Sequence, residues 1–288
     1  MPSPSRSVAR LQKSTTGRAI KWAVQTLDAV APGLARRLVF DRFCTPYRRG
    51  ATPDLHCFAL VDEGPAELTV WDAGDGRTVL LIHGWSGSAA QMAGFVAPLA
   101  GAGCYVAAPD LPAHGASPGR RTDIRQITEA ILRVGRRVGP VHAIVAHSFG
   151  APAAVAAMAR GLRVDRAVLL APAADLPGYA HSFARAAGLS EPSAQGLLAR
   201  INQRIGGIDA YDPVKLARGQ TARLLVIHDP ADREVPFAAG SAIAAAWPGG
   251  QLEIVKDAGH TRMLSDPRVI RRAVDFIGAG ETLAARTA

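Results

Sequence analysis

From residue 55 onward, short apolar runs alternate with longer stretches whose apolar residues recur at helical spacing. Residues 55–61 and 67–71 read as an opening pair of strands. Runs at 78–82, 104–108, 141–146, 167–170, 224–227 and 252–255 are short and almost wholly apolar, the pattern of strands buried on both faces. Between them, 89–100, 123–138, 149–159, 238–246 and 267–277 are predicted as helices. Strands alternating with helices imply an α/β fold, with a mostly parallel central sheet covered by helices on both faces.

Two regions depart from this rhythm. Residues 174–221 separate two predicted strands by far more chain than a crossover needs. They carry Phe183, Leu189, Leu197, Leu198, Ile201, Ile205 and Ile208 among polar residues, so the segment is expected to be a small helical insertion above the strand ends, a lid. Ahead of the strands, Ile20, Val24, Leu27, Ala31, Leu34 and Leu38 follow helical spacing, with Pro32-Gly33 dividing the run into two short helices. The expected organisation is a basic helical segment over 1–50, a core over 51–173 and 222–280, the lid at 174–221 and a tail at 281–288. Residues 1–17, rich in Ser, Pro, Arg and Lys, are expected to be mobile, and removing them to leave turnover within about threefold.

Composition sharpens the picture. Hydrophobic residues make up 48% of the 288 and charged residues 20%, a globular balance. The net charge of +9 resembles a nucleic-acid binder until it is located. Residues 1–50 hold 10 Lys/Arg against 2 Asp/Glu, while the rest hold 23 against 22, so the body is almost neutral and no nucleic-acid partner is expected. The basic segment is expected to pack on the domain surface. The alternative is peripheral attachment to the anionic inner surface of a membrane. Cys44, Cys57 and Cys104 form no CxxC pair and cannot all be bridged within the chain, which fits a reducing, cytoplasmic compartment. The first residues lack the apolar run of a secretory signal. The uncharged stretches 84–109 and 138–159 are too broken by Gly, Pro and His to read as membrane spans, so a soluble protein is expected.

In a parallel sheet, functional groups collect beyond the carboxyl ends of the strands. Those positions read His83-Gly84-Trp85-Ser86, then "PDLPAHGAS" from Pro109, His147-Ser148-Phe149-Gly150, "HDPADREVP" from His228, and "KDAGHTRML" from Lys256. A serine at a strand-to-helix junction beside a glycine is either an exposed nucleophile or a helix cap. Asp229, Asp232 and Glu234 compete as its acid partner, Asp229 being placed to shape the turn with Pro230. His260, in a loop after the last strand, is the candidate base. His83, His114, His147 and His228 read as loop or supporting residues. No pair has the spacing of a zinc site, and neither metal nor cofactor is expected.

The H-G-W, D-x-P-x-H-G-x-S, A-H-S-x-G and D-x-x-V-P motifs, with a late Gly-His, resemble the α/β-hydrolase superfamily, whose triad runs Ser, Asp, His along the chain. The resemblance covers about residues 55–280 and is closest to bacterial serine esterases and lipases. It implies Ser148 as nucleophile, Asp232 as acid, His260 as base, and the backbone N–H groups of Trp85 and Phe149 as oxyanion donors. One residue departs from the pattern. The familiar elbow has glycine at 146, where this chain has alanine, a methyl that fits if the helix sits slightly farther from the strand. The implied activity is hydrolysis of a small-molecule acyl ester without a cofactor. Thioesterase, amidase, lactonase and acyltransferase chemistry use the same triad and stay open. So does a non-catalytic role in binding or membrane attachment. Epoxide hydrolases and dehalogenases are disfavoured, because those relatives carry aspartate where Ser148 stands.

Overall fold

The computed structural model describes residues 15–47, 55–60 and 67–278. The expected tail at 281–288 and most of the segment 1–17 lie outside the described residues.

Eight strands form one sheet: β1 (His56–Leu60), β2 (Leu68–Ala73), β3 (Arg77–Ile82), β4 (Cys104–Pro109), β5 (Val141–His147), β6 (Arg166–Leu170), β7 (Arg223–His228) and β8 (Gln251–Ile254). Their spatial order is β1-β2-β4-β3-β5-β6-β7-β8. The β1/β2 and β2/β4 pairs are antiparallel, and every pair from β4 to β8 is parallel. The mostly parallel sheet anticipated from the apolar runs is therefore present. β5 runs one residue past its predicted end, so His147 is the last residue of a buried strand rather than a loop residue.

The interior strands are apolar on both faces because both faces are covered. Val79, Leu81, Val145, Val168, Leu170, Leu225 and Ile227 point to the side of α3 (Ala93–Gly101) and α10 (Pro267–Gly278). Their neighbours Leu80, Ile82, Ile144, Ala146, Leu169, Leu224 and Val226 point to the side of α4 (Ile124–Val138), α5 (Gly150–Ala159) and α9 (Phe237–Ala246). Helix α4 shows why such segments are helical. Ile124, Ile127, Ile131 and Val134 are buried on one stripe, the Asp123 carboxylate accepts from the N–H of Gln126 at the start, and Gly139 ends the helix.

The insertion between β6 and β7 carries α6 (Leu176–Ala187), α7 (Glu191–Ile205) and α8 (Pro213–Ala217). Asp175 and Asp212 cap α6 and α8, while α6 and α7 each end on a left-handed glycine, Gly188 and Gly206. Helix α8 packs on α5 and α9. The N-terminal helices α1 (Thr15–Val30) and α2 (Pro32–Phe43) rest mainly on α6 and α7, so the insertion stands between them and the sheet. The buried Asp28 carboxylate accepts from the N–H of Ser190 at 2.8 Å, and Phe43 meets Phe183 edge-on at 5.2 Å. A Cβ at Gly188 would lie 2.7 Å from the Lys21 carbonyl oxygen, so α1 approaches α6 closely only because that residue is glycine.

Candidate active site

Ser148 sits between β5 and α5 with φ of +52°, a left-handed conformation that costs a non-glycine residue about 1–2 kcal/mol. Its N–H donates to the Leu170 carbonyl and its carbonyl accepts from Ala151 and Ala173, so the turn is fixed from β6 as well as from its own helix. The sharp turn demands a small residue at 150: a Cβ there would lie 2.4 Å from the His83 carbonyl oxygen. Gly84 is constrained less severely, since a Cβ would lie 3.0 Å from that of Ser148. Ala146, by contrast, is simply buried on the α5 side of the sheet. The close approach at this elbow falls after the serine.

The three distant side chains converge. Ser148 Oγ lies 2.9 Å from His260 Nε2, and His260 Nδ1 lies 2.8 Å from Asp232 Oδ2. The Asp232 side chain is fully buried, and Oδ1 accepts from the N–H groups of Glu234 and Val235 at 2.7 and 3.1 Å. Burial opposes its ionisation, yet hydrogen bonds from His228, His260 and the Glu234 backbone hold the carboxyl below the usual carboxylate range. The two rival acids have other partners or, among the described residues, no side-chain partner. Asp229 accepts from Ala231 within its turn and from the N–H of Gly259 at 2.6 Å, so it ties down the loop that carries His260. Glu234 lines the cavity beside the site.

Two histidines reinforce the group in ways the sequence did not specify. His228 is buried, with Nε2 3.3 Å from the Val235 carbonyl and 3.4 Å from Asp232 Oδ2. Because a carbonyl only accepts, the proton sits on Nε2 and faces the carboxylate as well. His147 donates through Nε2 to the His260 carbonyl at 3.0 Å, and its ring lies 4.7 Å from that of His260. Burial, then the neighbouring His260, lowers the His147 pKa to about 3, so it is a neutral prop.

An alpha/beta hydrolase family model matches residues 79–273, which include all three side chains. The chain belongs to the alpha/beta hydrolase family. Many solved structures share the fold. An esterase from Exiguobacterium antarcticum is 18% identical with a TM-score of 0.58, covering 74% of this chain and 96% of its own. A meta-cleavage product hydrolase from Pseudomonas fluorescens is 19% identical with a TM-score of 0.55, covering 73% and 94%. A bromoperoxidase from Bacillus anthracis is 18% identical with a TM-score of 0.59, covering 77% and 99%. No curated protein matches the sequence.

The hydrolase's loop after β3 is shaped by two further histidines. His83 donates through Nδ1 to the Gly84 carbonyl and accepts on Nε2 from the N–H of Leu111. Complete burial, then His114, lowers its pKa to about 3, which keeps it neutral. His114 accepts from the N–H of Ser86, itself at φ of +59°. Trp85, between them, faces Phe149 with ring centroids 5.4 Å apart. The backbone N–H groups of Trp85 and Phe149 make no hydrogen bond among the described residues, and both residues border the cavity that Ser148 enters.

That cavity measures about 1070 Å³ and is mainly apolar, with Phe40, Phe43, Leu176, Phe183, Ile201 and Ile205 in its wall. α1 contributes Gly17, Ile20 and Lys21. Cys44 also borders it, its thiol pushed up to about 11 by burial and by Asp123, so it is no competing nucleophile near neutral pH. Among the described residues no cluster of three His, Cys, Asp or Glu side chains could hold a metal ion, and no helix is long and apolar enough to cross a membrane.

Proposed function

We propose that this hydrolase cleaves carboxylic esters with a sizeable apolar acyl or alcohol group, by covalent catalysis at Ser148. Ser148 Oγ attacks the ester carbonyl as its proton passes to His260 Nε2, and the buried Asp232 carboxylate holds the imidazole and stabilises the imidazolium. The oxyanion is received by the N–H groups of Trp85 and Phe149, donors of a kind worth roughly 3–4 kcal/mol of barrier each. His260 then returns the proton to the departing alkoxide. In the second half, His260 takes a proton from water, hydroxide attacks the acyl-serine, and the acid leaves as Ser148 recovers its proton. Helices α6 and α7 act as a lid that sets acyl preference, and an apolar cavity of about 1070 Å³ favours long chains over acetate.

What supports this reading most is the 2.9 Å contact of His260 with a serine held in a left-handed turn, beside two N–H groups that have no partner among the described residues. The esterase among the structural neighbours is consistent with it. The test is a series of p-nitrophenyl esters from acetate to dodecanoate. Turnover is expected to rise with chain length, and Ser148→Ala, still folded, to lower kcat by on the order of 10⁴-fold or more. A folded Ser148→Ala enzyme within tenfold of wild type would exclude the serine route.

A further inference from the structure

The exposed apolar side chains of this protein are unevenly placed. Of the eight large ones on the described surface, six lie within residues 15–47: Ile20, Trp22, Val30, Leu34, Leu38 and Tyr47. Trp22 is 68% exposed, Val30 76%, and Leu34 and Leu38 50% each. Spacing explains how they share the outer side of the helices. In α1, Gly17, Lys21, Val24 and Asp28 turn inward, while Trp22, Thr26 and Val30 follow one another at four-residue intervals on the far side. Leu34 and Leu38 do the same on α2.

Charge decides what this face can meet. The two acidic residues of α1 and α2 are withdrawn from it: Asp28 is buried against Ser190, and Asp41 pairs with Arg121. Arg18 and Arg37 remain exposed on it and form no ion pair among the described residues, and the sequence of residues 1–14 adds Arg6, Arg10 and Lys13 without an acid. A second copy using the same patch would set these cations against themselves, since a two-fold contact is self-complementary. Tryptophan, aliphatic residues and arginine without acids suit the boundary of an anionic bilayer. Neither helix is long and apolar enough to cross one, so the pair would lie on it.

The patch adjoins the cavity mouth. Ile20, Tyr47 and Tyr179 are exposed and also line the cavity, which marks them as its rim. We infer that the outer face of α1 and α2 docks on an anionic membrane surface and brings the cavity opening against the lipid. This docking is independent of the chemistry proposed for Ser148, and its test reads binding alone.

The experiment is co-sedimentation of the full chain with vesicles of phosphatidylcholine alone or with 30% phosphatidylglycerol. Wild type is expected to partition at least tenfold more strongly onto the anionic vesicles, with Trp22 fluorescence shifting blue and quenching by brominated lipid, signals that Trp22→Phe removes. The combined change Trp22→Ser, Leu34→Ser and Leu38→Ser is expected to lower partitioning at least tenfold, and Ser148→Ala to leave it unchanged. If the triple variant does not fold, Arg18→Glu with Arg37→Glu supplies the second arm, with the same loss expected. Wild type that ignores anionic vesicles, or folded variants that bind as wild type does, would overturn the proposal. So would a concentration-dependent dimer that the triple change abolishes while vesicle binding persists, since the face then belongs to a second copy.

Discussion

At the carboxyl rim of the sheet, each member of the candidate triad is tied down by hydrogen bonds from neighbouring strands and loops. Ser148 is pinned by Leu170, Asp232 by Glu234 and Val235, and the His260 loop by Asp229 and His147. Across the cavity, the wall of α1, α2, α6 and α7 is held by helix-to-helix packing: Phe43 on Phe183, Asp28 on Ser190, Lys21 against Gly188. The rim is held chiefly by hydrogen bonds to single atoms, the wall chiefly by packed helix faces. Under the proposed function, chemistry and selectivity fall to parts of the chain that are held in different ways, and variants in the two should fail differently.

The largest effect is expected at the rim. Asp232→Asn keeps the shape but loses the carboxylate that orients His260, and kcat on a p-nitrophenyl ester is expected to fall on the order of 10⁴-fold with little change in KM. A loss under tenfold would show that the carboxylate is dispensable.

Acid should weaken the rim next. His147 has a folded-state pKa near 3, below its unfolded value, so its stabilising effect is full above about pH 6.5 and declines as pH falls toward 3. Between pH 6.5 and 5 this amounts to about 2 kcal/mol of lost stability, and His147→Gln should flatten that part of the urea-midpoint profile. An unchanged profile would mean that His147 titrates normally.

The wall should respond in selectivity. Phe43→Ala removes an aromatic contact between α2 and α6, and the rate ratio of dodecanoate to acetate ester is expected to drop about threefold to tenfold. A constant ratio would remove the N-terminal helices from substrate selection. The smallest effect is expected from deleting residues 1–14, with soluble ester turnover staying within about threefold. Extending the cut to 17 removes Gly17, which borders the cavity, so a larger loss between those two deletions would locate where the wall begins.

The sheet was legible in the sequence because its strands are short apolar runs flanked by Gly, Pro, His and Asp, so that length and flanking residues supply the distinction from helix that burial on both faces removes from the period. The site was legible because parallel strands deliver their following residues to one rim, so reading only those positions brought Ser148, Asp232 and His260 into view. Choosing Asp232 over Asp229 and Glu234 needed the family's D-x-x-V-P spacing, since local pattern treats the three alike. His228 and His147 were readable as loop or supporting residues, but their contacts were out of reach, because both depend on which buried carbonyl or carboxylate a ring nitrogen meets after folding. The share of α1 and α2 in the cavity was hidden for a similar reason: an inward stripe of Val24, Leu27 and Asp28 looks the same whether it faces a sheet, a lid or a pocket.

The most direct test is covalent. After treatment with a fluorophosphonate, intact-mass analysis and peptide mapping should find one adduct per chain, on Ser148, absent from Ser148→Ala and formed far more slowly in His260→Ala. A folded wild-type protein that stays unlabelled, or carries its adduct on another residue, would contradict the assignment of Ser148 as the nucleophile.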